Sequence, residues 1–289
     1  MCGKEFWLVT TDHLTDRIWF RDEADFKMGM NLVAILACVL KVDVLAFELM
    51  SNHVHFVLYC THEEAKRFIN EYKRRYAQYM NHKYGTKELL RDNDYDIKAI
   101  QGTESTEWAI AYVQMNCVAA GICLTPSAYP WGTGDAFFRV SAVKGRKLGS
   151  LSVRAQRRLL HSTQRLQPDL IVGEDGYILP CSYVNVELVE SIFRTPKRML
   201  YFLRNSSKAK RRLESDEPHL PAFRDQLIAS AIPDLCQSLF RKTSVKELAQ
   251  SELAELLKQL RFRFSSNVNQ LARVVGLSYE TAITLLDGM

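Results

Sequence analysis

The chain has no run of about 18 apolar residues, the least that a helix needs to cross a bilayer, so no membrane span is expected. It has no signal-peptide core either: Met1–Trp7 passes at once into a strand-like run. No CxxC pair exists, and the 7 cysteines are scattered and odd in number. That argues against a thiolate zinc site and for a reducing cytoplasm. Internal repeats and low-complexity tracts are absent. What remains, 47% hydrophobic and 25% charged residues over 289 positions, is the composition of a soluble globular protein with room for two or three units. The net charge of +5 is unevenly spread: residues 1–140 are slightly acidic, and residues 141–289 carry the whole basic excess. Such segregation points to a polyanion partner for the second half, against the plainer alternative of a solvated basic surface.

Alternation and helical spacing give an order of elements. Phe6–Thr11 reads as a strand and Arg21–Lys41 as an apolar-periodic helix. Asp43–Leu49 and His53–Tyr59 read as an antiparallel pair joined by the Ser51-Asn52 turn. Thr61 with Glu63-Glu64 caps a helix that Gly85 ends. Asp96–Ile100 is a short strand, and Thr103–Asn116 a helix with Gly121 beyond its end. The order β-α-β-β-α-β-α predicts an α+β fold, a ferredoxin-like (split βαβ) antiparallel sheet with one extra helix. Tyr129–Gly134 then breaks regular structure. From Ser150 the chain reads as mainly helical, with Arg154, Arg157 and Arg158 inside Val153–His161. Lys208, Lys210, Arg211 and Arg212 form its densest basic run. Asn267–Leu286 reads as two short helices pivoting on Gly276, the layout of a helix-turn-helix, with Arg273 among its base-facing candidates. Three segments are therefore expected: 1–140, a catalytic sheet domain; 141–240, a helical basic linker region; and 241–289, a helix-turn-helix-like DNA-binding domain.

The chemistry concentrates in two of these elements. His53 and His55 are two apart on a strand, so both imidazoles leave the same face, as a divalent metal requires. A bare pair of this kind is as readily a core accident. The helix Thr103–Asn116 offers what would make it a site. Tyr112 and Asn116 are i and i+4 and project from one face. An asparagine oxygen is a reasonable third ligand for Mg²⁺ or Mn²⁺, and a tyrosine beside the metal could act as a covalent nucleophile on a scissile phosphate. Its product is a 5′-phosphotyrosine link and a free 3′-OH. Lys73, Arg74 and Arg75 are candidate phosphate contacts, although consecutive residues spread around a helix. Gln114 is an alternative ligand, but two residues from Tyr112 it faces elsewhere.

These residues resemble a known family. Ser51–Leu58 is similar to the HUH motif of the single-tyrosine transposases, with the REP-associated tyrosine transposases as the nearest likeness. Ala111–Gly121 resembles that family's tyrosine segment, and Tyr129-Pro130-Trp131 its Pro-Trp after the catalytic helix. Phe68–Tyr84, with Lys73-Arg74-Arg75-Tyr76 and Tyr79-Met80-Asn81, looks like its basic, tyrosine-bearing helix. The likeness spans roughly residues 5–140. It implies a metal-dependent endonuclease and strand transferase on single-stranded, often hairpin DNA, with Tyr112 as nucleophile and His53, His55 and Asn116 on Mg²⁺ or Mn²⁺. It also implies a homodimer, in the cytoplasm with the nucleoid, and duplex DNA is expected at the C-terminal helix-turn-helix. Two departures stand out: Cys117 and Ala119 replace a proline and an arginine, and Asp92–Asp96 is acidic where the family is basic and aromatic. They support a second reading, a domesticated, non-catalytic DNA-binding regulator. A metal hydrolase of small phosphoesters is a third, disfavoured by the lack of a further histidine cluster.

Overall fold

The computed structural model describes residues 3–11, 18–85, 95–206, 225–264, 266 and 268–287. Its centre is a four-stranded sheet of β1 (Glu5–Thr10), β2 (Asp43–Met50), β3 (His53–Cys60) and β4 (Asp96–Ile100), in the order β2-β3-β1-β4. All three pairings are antiparallel. With α1 (Glu23–Leu40) between β1 and β2, and α2 (His62–Tyr84) between β3 and β4, this is the split βαβ arrangement expected from the sequence. β2 and β3 are joined by the two residues Ser51-Asn52, which set Met50 opposite His53 and Glu48 opposite His55. One extra residue at Leu45 makes a bulge in β2.

The helices begin and end where their caps dictate. Asp22 and Asp25 form a reciprocal capping box at the start of α1. Thr61 and Glu64 do the same for α2, which stops at Gly85 with φ 65°. α1 and α2 cover one face of the sheet, burying Phe26, Leu36, Phe68, Tyr72 and Tyr76 with Phe47, Phe56 and Leu58. The other face receives α3 (Thr103–Gln114), whose Ile110, Ala111 and Val113 pack with Leu45, Ala46 and Val57. α3 begins at Thr103, and Gly102 at φ 88° precedes it.

Tyr129–Gly134, expected only as a break, closes the outer edge of β2. Leu49 N–H bonds the Trp131 carbonyl at 2.8 Å, and Thr133 N–H bonds the Phe47 carbonyl at 3.0 Å. Between them Gly132 lies so close to β2 that a Cβ there would stand 2.8 Å from the Phe47 carbonyl oxygen. The pairing answers the unpaired backbone groups of an edge strand.

Residues beyond 140 divide between the cores. Leu148, Leu160, Leu170 and Ile178 join the core under α1 and α2, together with α5 (Val153–Leu160) and the short pair β5 (Arg146–Lys147) and β6 (Ile171–Val172). α6 (Val186–Phe193) and α7 (Pro196–Asn205) pack Val189, Phe193, Met199 and Phe202 against α3. The stretch expected as a linker thus packs on both faces of the sheet as far as Phe202. From Ile228 a separate core unites α8 (Asp225–Phe240), α9 (Gln250–Phe264), α10 (Val268–Val275) and α11 (Tyr279–Asp287), with Gly276 at φ 79° between the last two. This helical unit touches the hairpin turn and the chain just before α1: Ser51 Oγ donates to the Arg263 carbonyl, and Arg21 pairs with Asp234 at 2.8 Å. No helix among the described residues is long and apolar enough to cross a membrane.

Candidate active site

β3 directs His53 and His55 to the α3 face because its alternate residues, Val54, Phe56 and Leu58, are taken up by the core beneath α1 and α2. The two rings stand 4.7 Å apart between centroids, nearly perpendicular at 87°. His55 is fully buried and His53 partly so. Nδ1 of His53 lies 2.6 Å from Asn52 Oδ1. An amide oxygen only accepts, so this contact assigns the proton to Nδ1. The ring of Tyr112 meets His55 edge-on, with 5.7 Å between centroids. Strand and helix therefore bring the phenol and the two imidazoles together.

Asn116 sits one turn beyond Tyr112, but the helix between them is interrupted. α3 ends at Gln114, Met115 turns at φ −93° and ψ 3°, and a last turn, α4 (Asn116–Ala119), follows. The asparagine side chain is engaged at this interruption. Its Nδ2 donates to the carbonyls of Tyr112 at 3.0 Å and Val113 at 3.2 Å, acceptors that a continuous helix would give to backbone N–H groups. With the nitrogen so engaged, the side-chain oxygen is the atom left to act as a ligand. Gly121 at φ 69° closes α4: Ile122 N–H reaches the Cys117 carbonyl and Gly121 N–H that of Val118, each at 2.9 Å.

One acidic residue escaped the sequence reading. Glu48 is 3% exposed, directly across from His55, with the backbone N–H and thiol of Cys117 facing its carboxylate. Burial pushes its carboxyl well above the usual carboxylate range, and its Oε1 has no hydrogen-bond partner. The signal was present in the sequence: a two-residue turn makes Glu48 the cross-strand neighbour of His55. Cys117, also buried, has its thiol pushed up by a hydrogen bond with Cys123 and by burial.

The donor set fits a divalent cation. It offers two imidazoles, one with its tautomer fixed, and an amide oxygen backed by the helix end. Among the described residues no three His, Cys, Asp or Glu side chains gather to form a metal site. Gln114 Nε2 donates to the Thr133 carbonyl at 2.9 Å, and its buried Oε1 has no hydrogen-bond partner.

The other candidates lie apart from this centre. Lys73 is buried, its Nζ 5.5 Å from the centre of the Tyr95 ring. Arg74 and Arg75 both bond Glu71, Arg74 through two nitrogens. Arg273 makes a two-pronged pair with Asp225, at 2.9 and 3.3 Å. Lys208, Lys210, Arg211 and Arg212 lie outside the described residues, as does most of the acidic 92–96 run.

Residues 19–116 match the family model described as "Transposase IS200 like". That span holds both histidines, Tyr112 and Asn116, and it bears out the resemblance to the single-tyrosine transposases. It supports DNA processing of the transposase type. No curated protein matches the chain. A solved structure, described as "Structure of the REP associates tyrosine transposase bound to a REP hairpin", is similar over 46% of this chain and 78% of that one, with 14% identity and a TM-score of 0.35.

Proposed function

We propose that this chain is a metal-dependent endonuclease and strand transferase for single-stranded DNA, working through a covalent 5′-phosphotyrosine at hairpin or palindromic sites. The observation that carries the reading is the edge-on contact of Tyr112 with His55, on the face to which His53 also points. The phenolic oxygen of Tyr112 attacks the scissile phosphorus in line. The bond from phosphorus to the 3′-oxygen breaks with its electron pair, the 3′-oxygen takes up a proton, and the phenol gives one up. Attack of another 3′-OH on the phosphotyrosine reverses these changes and joins new ends, so no external energy source is needed. His53, His55 and Asn116 would hold Mg²⁺ or Mn²⁺, which supplies Lewis-acid polarisation of the phosphate. Asn52 fixes the His53 ring, and Ala111 and Val113 seat the helix that aims the tyrosine. In this reading 1–140 is the catalytic domain, and the 241–289 region adds duplex binding to a homodimer.

The test mixes the full chain with labelled single-stranded hairpin DNA and Mn²⁺ or Mg²⁺, then separates products under denaturing conditions. A protein–DNA adduct is expected from the wild type and none from Tyr112→Phe. An equal adduct from Tyr112→Phe removes the tyrosine from its role. Salt-dependent duplex binding without any cleavage, unchanged by His53→Ala, would establish the non-catalytic regulator in its place.

A further inference from the structure

Between Asp135 and Asp169 the chain carries Arg139, Lys144, Arg146, Lys147, Arg154, Arg157, Arg158 and Arg165 without one Asp or Glu. The fold gathers part of this charge at a groove. Arg154 and Arg158 on α5, Arg146 on β5, Lys27 on α1 and Tyr79 on α2 line a cavity of about 740 Å³. A second groove of about 370 Å³ adjoins it, with Tyr79, Met28 and His161 common to both. Both lie on the side of α1 and α2, the opposite side of the sheet from Tyr112.

The arginines here differ from those on α2. Arg74 and Arg75 already satisfy Glu71. Among the described residues no carboxylate pairs with Arg146, Arg154, Arg157 or Arg158, and all four are exposed. Lys27, which lines the same cavity, is bonded to Glu23 at 2.7 Å. Arg154 and Arg158 are i and i+4, so their charges repeat at about 5–6 Å along the helix. A ladder of cations along an open groove suits a chain of phosphates better than a single anion.

We infer that the groove between α1 and α5 binds the phosphate backbone of nucleic acid, as a holding site separate from the tyrosine's face. This rests on the reading that the chain handles DNA, but not on its cleaving it. The experiment measures anisotropy of a fluorescein-labelled DNA hairpin with the full chain in EDTA, over a series of salt concentrations. Two variants are compared with the wild type: Arg154→Gln/Arg158→Gln and Arg146→Gln. Substitutions of exposed arginines leave the fold nearly untouched, which circular dichroism and the melting midpoint check.

The double variant is expected to bind at least tenfold more weakly at 150 mM salt, for every hairpin sequence alike. Its log–log salt slope should shrink by about 1.4–1.8, or 0.7–0.9 for each phosphate that is no longer neutralised. Arg146→Gln should shrink it by about half as much. Wild-type affinity and slope in the double variant would overturn the site, as would hairpin binding that inorganic phosphate at millimolar concentration abolishes at constant ionic strength. The two proposals fail separately. A Tyr112-dependent adduct with an unchanged slope sinks the groove alone. A reduced slope with no adduct on any DNA sinks the nuclease alone.

Discussion

Toward α1 and α2, β3 presents Val54, Phe56, Leu58 and Cys60, every one fully buried and apolar. Toward α3 it presents His53, His55, Val57 and Tyr59, and the neighbouring strands add Glu48 and Thr10 in the same row as His55. One face is occupied by rings packed on rings: Phe56 stands 5.2 Å from Phe68, 5.4 Å from Tyr72 and 6.1 Å from Phe47. The other holds apolar packing only where α3 lies over it and turns polar near the helix's end. A strand's period of two lets one segment serve both purposes, because residues on opposite faces do not share neighbours. The stability of the first face is what permits buried imidazoles and a buried carboxyl on the second.

If the faces are as separate as this suggests, three substitutions should divide cleanly. Phe56→Ala should have the largest effect on folding, about 3–5 kcal/mol by urea denaturation. Its folded fraction should still bind Mn²⁺ like the wild type; a tenfold loss there would show that the faces are coupled. Asn52→Ala removes the acceptor that orients His53 and should weaken Mn²⁺ binding about 10–100-fold in calorimetry, with a melting midpoint close to the wild type. An unchanged affinity would mean that His53 is held by something other than Asn52. Thr61→Ala, at the start of α2, should cost only about 1 kcal/mol near neutral pH and leave metal binding alone. The same cap has a pH signature. The Thr61 N–H holds the Glu64 carboxylate below its usual range. A carboxylate lowered in the folded state adds stability above its unfolded pKa of about 4.3, and that stability is lost as pH falls through the lower, folded value. Glu64→Gln should flatten this acid loss, and an unaltered profile would place the loss elsewhere.

Much of the sheet was legible because local pattern and tertiary need agree there. Alternation located β3, and the two-residue turn located its partner. The capping pair Thr61 and Glu64 placed the start of α2. The features that stayed hidden depend on contacts distant in sequence. The interruption at Met115 leaves the i, i+4 spacing of Tyr112 and Asn116 intact, so periodicity could not reveal it. The bond of Arg273 to Asp225, far back in the chain, is one such contact. Residues 141–240 read as a basic linker region because their charge stands out, yet apolar residues from Leu148 to Phe202 fill both cores of the sheet. Tyr129–Gly134 has no strand pattern because it was shaped to fit the edge of β2.

The side chain of Asn116 carries a consequence for which residues this position can accept. An aspartate would be the harder ligand for Mg²⁺ or Mn²⁺ and, judged by metal chemistry alone, the better choice. It would also turn an oxygen toward the carbonyls of Tyr112 and Val113, where Nδ2 now donates at 3.0 and 3.2 Å. Two acceptors would lose their donor and face a negative charge, and the helix end that aims Tyr112 would come apart. The amide at 116 is thus selected by the backbone behind it as much as by any ion in front of it.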